Sequence, residues 1–232
     1  MGGTRQMIVG ITGASGAPYS QKIIRLLLAA DVHVHLVVSA LGQRLLHDEL
    51  GMEGLDLPAL TGRPALAGGS DSDRGAGGGT AARGRVEGVT VHNFRDVGST
   101  IASGSFRHDG MIVAPCSSNS LAAIATGAAQ HLVHRAAQVA LKERRKLILL
   151  HREAPLAMTD IRNMQAVTEA GAIVFPASPG FYMLPQTIDD LVGFVAGRVL
   201  DLVDVDHGMT IRWGEDEGAN AHGADAGQTE CV

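Results

Sequence analysis

The segment Lys142-Glu143-Arg144-Arg145-Lys146 runs into Leu147-Ile148-Leu149-Leu150 and then into His151-Arg152-Glu153-Ala154-Pro155. A basic helix end leads into an apolar strand, and the strand stops at an arginine beside a carboxylate. In open α/β sheets, ligands bind outside the carboxyl ends of the strands. An arginine and a carboxylate placed there suit a phosphate and its proton. Neighbouring strand residues point to opposite faces, so Arg152 and Glu153 read more naturally as two separate jobs than as a structural ion pair.

Other turns carry similar residues. Thr12-Gly13-Ala14-Ser15-Gly16-Ala17 follows a short apolar run and opens a helix. Such a turn offers backbone N–H groups and the positive end of a helix dipole to an anion or a polar ring. It also suits a tight turn that needs glycine only for close packing. Gly10, Gly13 and Gly16 give G-x-x-G-x-x-G, not the dinucleotide G-x-G-x-x-G. The next strand ends at Ser39 with no acidic residue for a ribose diol, which weighs against NAD. Ser117, Ser118, Asn119 and Ser120 stand at a helix start, where one residue would serve as a cap. The excess of hydroxyls fits a phosphate seat without fixed positive charge.

Arg135, Gln138 and Lys142 share one helical stripe. They make either a solvated face or, given the apolar residues around them, a closely packed one. Tyr182 follows Pro179-Gly180-Phe181 in a loop and could cover a ligand. Arg198 lies among Phe194, Val195, Val199 and Leu200, so it reads as a largely buried cation in need of an anion. Glu49 reads as a solvated carboxylate and Cys116 as a small buried residue. His131 and His134 are the only close helical histidine pair among ten histidines. No H-E-x-x-H or C-x-x-C is present, which argues against a metal site.

These residues need a scaffold. Strands are expected at Met7–Ile11, Val32–Val38, Val89–His92, Met111–Ala114, Leu147–Leu150 and Ala172–Phe175. Histidines alternate with valines in the second, giving it one polar face. Helices are expected from Pro18 to Ala30, through Arg44 to Leu50, Asp96–Ser103, Leu121–Thr126, Leu132–Arg144, Asp160–Ala170 and Thr187–Val203. Strands alternating with helices imply an α/β three-layer sandwich around a mostly parallel sheet. Gly54 to Gly88 breaks this rhythm without apolar period, and Gly68 to Arg85 reads as a disordered surface insertion. The polar tail from His207 to Val232 is expected to fray.

Composition bounds the rest. A chain of 232 residues, 45% apolar, fits one domain with appendages. Its formal charge of −5 argues against a nucleic-acid partner. Only Cys116 and Cys231 are present, which fits a reducing cytoplasm better than a disulfide framework. No apolar run suits a signal peptide or a membrane span.

Together the motifs resemble the flavin prenyltransferases of the UbiX type, within the superfamily of homo-oligomeric flavin-containing Cys decarboxylases. The resemblance runs from Met7 to about Trp213. It rests on the Thr12–Ala17 turn, Pro115-Cys116-Ser117, Arg135-Ala136-Ala137, Ala140–Arg145, Arg152–Leu156, Pro179–Tyr182, Pro185-Gln186 and Arg198. It implies a flavodoxin-like or Rossmann-like flavoprotein domain, residues 1–206, that binds reduced FMN between subunits of a homo-oligomer, a dodecamer in the family. It further implies metal-free transfer of a dimethylallyl group from dimethylallyl phosphate to flavin N5 and C6. The product, prenylated FMN, would serve a UbiD-type decarboxylase. By position, Gly13, Ala14, Ser15, Ser39, Ser117, Ser118, Asn119, Ser120 and Arg152 would bind FMN. Tyr182, Arg198, Arg135 and Lys142 would hold the prenyl phosphate. Ser15, Glu49 and Glu153 would handle protons, with Lys142 counted among the catalytic groups, and Trp213 could add a π-face. Asn119-Ser120 departs from the Lys or Gly, then Thr, of many relatives. The rival readings are an FMN-dependent cysteine decarboxylase, whose Pro-x-Met-Asn-x-x-Met-Trp segment is missing here, and a non-catalytic FMN-binding subunit.

Overall fold

A computed structural model describes residues 4–67 and 82–209. Six parallel strands form the central sheet: β1 (Gln6–Ile11), β2 (His33–Val38), β5 (Val89–His92), β6 (Gly110–Cys116), β7 (Leu147–His151) and β8 (Ile173–Pro176). Their spatial order is β5-β2-β1-β6-β7-β8. The chain works outward from β1 to one edge, returns, and works outward from β6 to the other. β1 and β6 therefore flank the switch point, where crossovers diverge to opposite faces and leave a crevice. This is the expected Rossmann-like three-layer sandwich.

The inner strands β1, β6 and β7 are apolar over most of their length because both faces are covered. One face packs against α1 (Ala17–Ala29), α2 (Ala40–Leu50), α3 (Leu57–Thr61) and α7 (Ile188–Asp201), joining Met7, Val9 and Ile11 to Ile23, Leu27, Val195 and Val199. The other packs against α4 (Ser118–Thr126), α5 (Leu132–Lys142) and α6 (Met158–Glu169), joining Ile8, Met111 and Val113 to Leu121, Val133, Ala136 and Val167. Odd and even residues of β1 thus serve opposite cores, as strand alternation dictates.

The helix boundaries have local causes. Pro18 occupies the first turn of α1, where a missing N–H costs nothing. Ser39 and Ser117 cap α2 and α4 by accepting from Gly42 N–H and Ser120 N–H. Left-handed Gly51 and Gly127 close the same two helices. Thr187 and Asp190 form a capping box at α7, each side chain accepting from the other's backbone N–H.

Two expectations change. The span expected to be helical from Asp96 to Ser103 has only a short 3-10 turn at Thr100–Ala102, preceded by Asx-type turns at Asn93 and Asp96. Those side chains bond nearby backbone N–H groups in competition with a helix. Gly54–Gly88 is not structureless: β3 (Leu55–Asp56) pairs in parallel with β4 (Ala82–Arg83), and α3 starts at an Asp56 cap. The expected disorder therefore does not extend to residues 82–85, and residues 68–81 lie outside the described part. So do Trp213 and the tail beyond Met209. The histidines of β2 do share a polar face. His35 Nδ1 lies 3.0 Å from His92 Nε2, its Nε2 2.9 Å from Gln6 Oε1, and His92 Nδ1 2.9 Å from Ser99 Oγ.

Candidate active site

The switch-point crevice is tied together by Thr12. Its hydroxyl donates to Pro115 O at 2.8 Å and accepts from Ser117 N–H at 2.9 Å, locking the β1 turn to the β6 turn. Ser20 Oγ, donating to Ala114 O at 2.6 Å, repeats the tie one layer deeper. Two turns far apart in sequence thereby become one rigid rim.

On that rim the glycine turn is shaped by close approach. A Cβ at Gly13 would lie 2.5 Å from Leu41 Cβ, and Gly16 has φ +134°, a conformation that side chains disfavour. Gly13 and Ser15 face solvent, while Ala14 is buried. Glu49 is not simply solvated, as its position in the sequence suggested. Its carboxylate reaches from α2 to the start of α1 and accepts from Gly16 N–H at 2.9 Å and Ala17 N–H at 2.8 Å. A carboxylate at a helix N-terminus is favourable to the dipole. Here it also places an acid–base group beside Ser15.

Arg152 and Glu153 come next along the rim. Arg152 Nε donates to Ser15 O at 3.3 Å, and Ser118 Oγ donates to Glu153 Oε2 at 3.2 Å. Among the described residues the two make no ion pair with each other, consistent with separate roles. The Ser117–Ser120 run does more than cap: Ser117 Oγ donates to Ser120 Oγ at 3.2 Å, and Ser120 Oγ lies 3.2 Å from His134 Nε2. His134 is buried beside the tilted His131 ring, whose centroid is 3.7 Å away. Burial and then His131 push its pKa down to about 4, so it is neutral near pH 7. Asn119 is exposed at the start of α4, and Ser39 is buried as the α2 cap.

Other expected site residues stand apart. α5 starts beside Phe94, just past the end of β5, and runs towards the opposite edge, where Arg145 donates to Gly104 O and Phe106 O. Arg135 therefore sits nearer the crevice and Lys142 about 10 Å further along the helix axis. Both are exposed, whereas Gln138 between them is half-buried with its amide nitrogen shut off from solvent, so within one chain the stripe is solvated only at its two charged positions. Lys142 pairs with Glu143 at 3.1 Å. Arg198 is not buried as expected: its side chain is 46% exposed and pairs with Asp201 at 2.9 Å, because the apolar residues beside it in sequence turn inward and leave it on the outer stripe. Tyr182 makes an edge-on contact with Phe194, one helical turn before Arg198.

Sequence reading missed Thr12, His134, His151 and Asp160 as partners of the rim. Thr12 lies inside the glycine motif, but its bridging role depends on β6, over a hundred residues away. Cys116 is fully buried, and burial raises its thiol pKa to about 12, which fits an inert core residue. Among the described residues no cluster of three or more His, Cys, Asp or Glu could hold a metal ion, and no helix is long and apolar enough to cross a membrane.

The donor set fits a flavin mononucleotide. Hydroxyls and the N-terminus of α4 suit a phosphate, the bare Gly13 surface suits a flat ring, and Arg152, Glu49 and Glu153 suit polar ring atoms and protons.

A family model described as Flavoprotein matches residues 1–200. The flavin prenyltransferase UbiX of Deinococcus radiodurans is 40% identical over 215 residues, 93% of this chain and 96% of that protein. A crystal structure of AnUbiX (PadA1) in complex with FMN and dimethylallyl pyrophosphate superposes with a TM-score of 0.76 at 38% identity, covering 90% of this chain and 97% of that one. The dodecameric FMN-dependent UbiX-like decarboxylase from Escherichia coli O157:H7 gives 0.74 at 37%, covering 90% and 98%.

Proposed function

We propose that this chain, which belongs to the UbiX-type flavin prenyltransferase family, joins the dimethylallyl group of dimethylallyl phosphate to N5 and C6 of reduced FMN. The flavin, when bound, supplies the electron-rich ring that accepts the prenyl carbon. Gly13, Ala14, Ser15, Ser39, Ser117–Ser120 and Arg152 hold it, within one flavin-binding unit spanning residues 1–206. Arg135, Lys142, Tyr182 and Arg198 hold the prenyl phosphate. Breaking the allylic C–O bond puts negative charge on phosphate, and fixed cations stabilise that charge as it develops. A monophosphate leaves poorly, so Glu153 protonates it, while Ser15 and Glu49 manage protons at the flavin.

The observation that carries this reading is the attachment of Arg152 and Glu153 to the two loops of the switch point, at Ser15 O and Ser118 Oγ. It places a cation and an acid at the one crevice where this topology binds ligands. The cysteine decarboxylase and non-catalytic readings would leave that pairing, and the outer cations, without work.

Lys142 and Arg198 lie on outer faces, and Phe181, Leu184 and Ile188 are 70–77% exposed. Exposed apolar residues around a site ask for cover. A homo-oligomer, such as the dodecamer of the UbiX-like decarboxylase from Escherichia coli O157:H7, would supply that cover and bring outer cations of one copy to the crevice of another. The product is released in the cytoplasm to a UbiD-type decarboxylase. The test is anaerobic incubation of the protein with reduced FMN and dimethylallyl phosphate, followed by mass spectrometry of the bound flavin. A gain of one five-carbon prenyl unit is expected. Tightly bound, unmodified FMN would sink the reading.

A further inference from the structure

His134 is a buried polar residue that the reaction as described does not use. It is the third residue of α5 and is 2% exposed. Its Nε2 lies 3.2 Å from Ser120 Oγ, in the first turn of α4. Its Nδ1 is buried without a hydrogen-bond partner among the described residues. His131 offers none: its ring is tilted beside the His134 ring, and its own Nδ1 is also buried and unpartnered. A neutral imidazole carries one hydrogen, on one nitrogen or the other. On Nδ1 that hydrogen would be a donor shut in the core with no acceptor, the rarer kind of orphan. On Nε2 it is satisfied by the Ser120 oxygen, and Nδ1 is left as a bare acceptor. The geometry therefore selects the Nε2–H form, with His134 as donor and Ser120 as acceptor.

That choice sets what the start of α4 can offer. A hydroxyl has one hydrogen to give and two lone pairs with which to receive. Ser117 Oγ accepts from Ser120 N–H at 3.3 Å and lies 3.2 Å from Ser120 Oγ. Were His134 an acceptor, the Ser120 hydrogen would be spent on it and the Ser117 hydrogen would be drawn inward to Ser120. Ser117 would then show the crevice only a lone pair. With His134 as donor, the Ser120 hydrogen is free. Ser117 can still donate to Ser120, as it does in the unliganded chain, or turn outward while Ser120 donates to Ser117. The change takes two hydroxyl rotations and transfers no proton. In the outward arrangement Ser117 receives from Ser120 N–H and O–H, and Ser120 receives from His134. Its free end is a hydrogen facing the crevice, beside the N–H groups of Ser118 and Asn119 that helix geometry leaves unspent.

We propose that His134 is a positioning residue that holds the Ser117–Ser120 hydroxyl pair in the polarity needed to bind a phosphate monoester. An anionic phosphate oxygen accepts and does not donate, so only the outward arrangement suits it. This rests on the reading of the crevice as a flavin mononucleotide site, and the prenyl donor carries the same phosphate chemistry. His134 acts through Ser117, the half-buried end of the pair.

The test compares binding of FMN and of riboflavin, which differ by the phosphate alone, to the whole protein by quenching of flavin fluorescence. His134→Leu fills the same space without the donor. It should weaken FMN about tenfold and riboflavin by less than about twofold. His134→Gln, whose amide can donate from nearly the same place, should return FMN affinity to within about threefold of the parent. Ser120→Ala should lose as much as His134→Leu, and the double variant no more than either, because both cut one train. Equal losses for FMN and riboflavin, a glutamine variant as weak as the leucine one, or additive losses would overturn the proposal and leave His134 a packing residue. Neutron diffraction should find the hydrogen on Nε2; a hydrogen on Nδ1 would overturn it as well. The KM of dimethylallyl phosphate tells the two phosphates apart: a rise confined to it, with FMN affinity unchanged, would keep the train and assign it to the prenyl donor. If the parent binds neither flavin, the reading of the crevice fails and the proposal with it. If the parent binds FMN while the variants move neither the FMN-to-riboflavin ratio nor that KM, only the proposal fails.

Discussion

The crevice at the switch point and the outer faces of α5 and α7 both carry site residues, yet they are built differently. In the crevice, Thr12, Ser15, Glu49, Ser117, Ser118, Arg152 and Glu153 are hydrogen-bonded within the chain, each to a residue of another segment. On the outer faces, Lys142 and Arg198, themselves exposed, pair among the described residues only with neighbouring carboxylates, Glu143 and the half-buried Asp201. Exposed pairs of that kind contribute about 0–1 kcal/mol and break readily. The first region is pre-organised by one fold. The second is held in reserve for an anion or for another copy.

The largest expected effect breaks the comparison at its inner half. Glu153→Gln should reduce prenyl transfer by about 10²–10⁴-fold while FMN still binds, as read by mass spectrometry and absorbance. The outer half is tested by Lys142→Ala and Arg198→Ala. Each should cost roughly 10–100-fold, mostly in KM for the prenyl donor, with the thermal midpoint almost unchanged. Reassembling Glu153→Gln chains with Lys142→Ala chains should then recover activity, because some crevices receive an intact member of each region. No recovery would mean that both regions serve the same chain's site.

Smaller effects concern stability. Gly13→Ala drives a methyl group into Leu41 and should cost about 1–3 kcal/mol, seen as a lower denaturant midpoint and weaker FMN binding. Lys142→Ala, by contrast, should move that midpoint by no more than about 0.5 kcal/mol. A last measurement lies away from both regions, at the His35–His92 pair. Burial, then His92 and His33, lower the His35 pKa to about 4, and His92 is lowered first by burial. The neutral forms are favoured by folding. Stability is therefore full above the unfolded value near 6.5 and declines as pH falls towards 4, by about 1–2 kcal/mol for the coupled pair. A flat midpoint over that window would contradict it.

The inner region was largely legible in the sequence. Apolar runs ending in Gly13–Gly16, Ser39, Cys116–Ser120 and Arg152–Glu153 place those residues on one sheet edge by pattern alone. What stayed hidden was pairing across long separations. Glu49 reaching Gly16, and Thr12 bridging Pro115 and Ser117, follow from which strands are neighbours, and periodicity does not encode that. Arg198 was misjudged because apolar neighbours in sequence are not neighbours in space on a helix. The 3-10 turn at Thr100 was misread because Asn93 and Asp96 bind their own backbone. The short β3 and β4 escaped because two-residue strands leave no period to find.

That small pairing has a consequence for descent. Leu55 lies opposite Ala82 and Asp56 opposite Arg83, and Leu66 N–H bonds Arg85 O at 2.7 Å. The described flanks of residues 68–81 are thus held at adjacent points, on the side of α1 that packs against α3. Doubling the length of a flexible loop between fixed ends costs only about 0.6 kcal/mol. With its flanks fixed, the number of residues between them can change across lineages at little cost, and this stretch should vary most in length when sister sequences are compared. For a protein engineer, the same doorway is where a reporter or an affinity handle could be spliced in while the chemistry at the opposite end stays untouched.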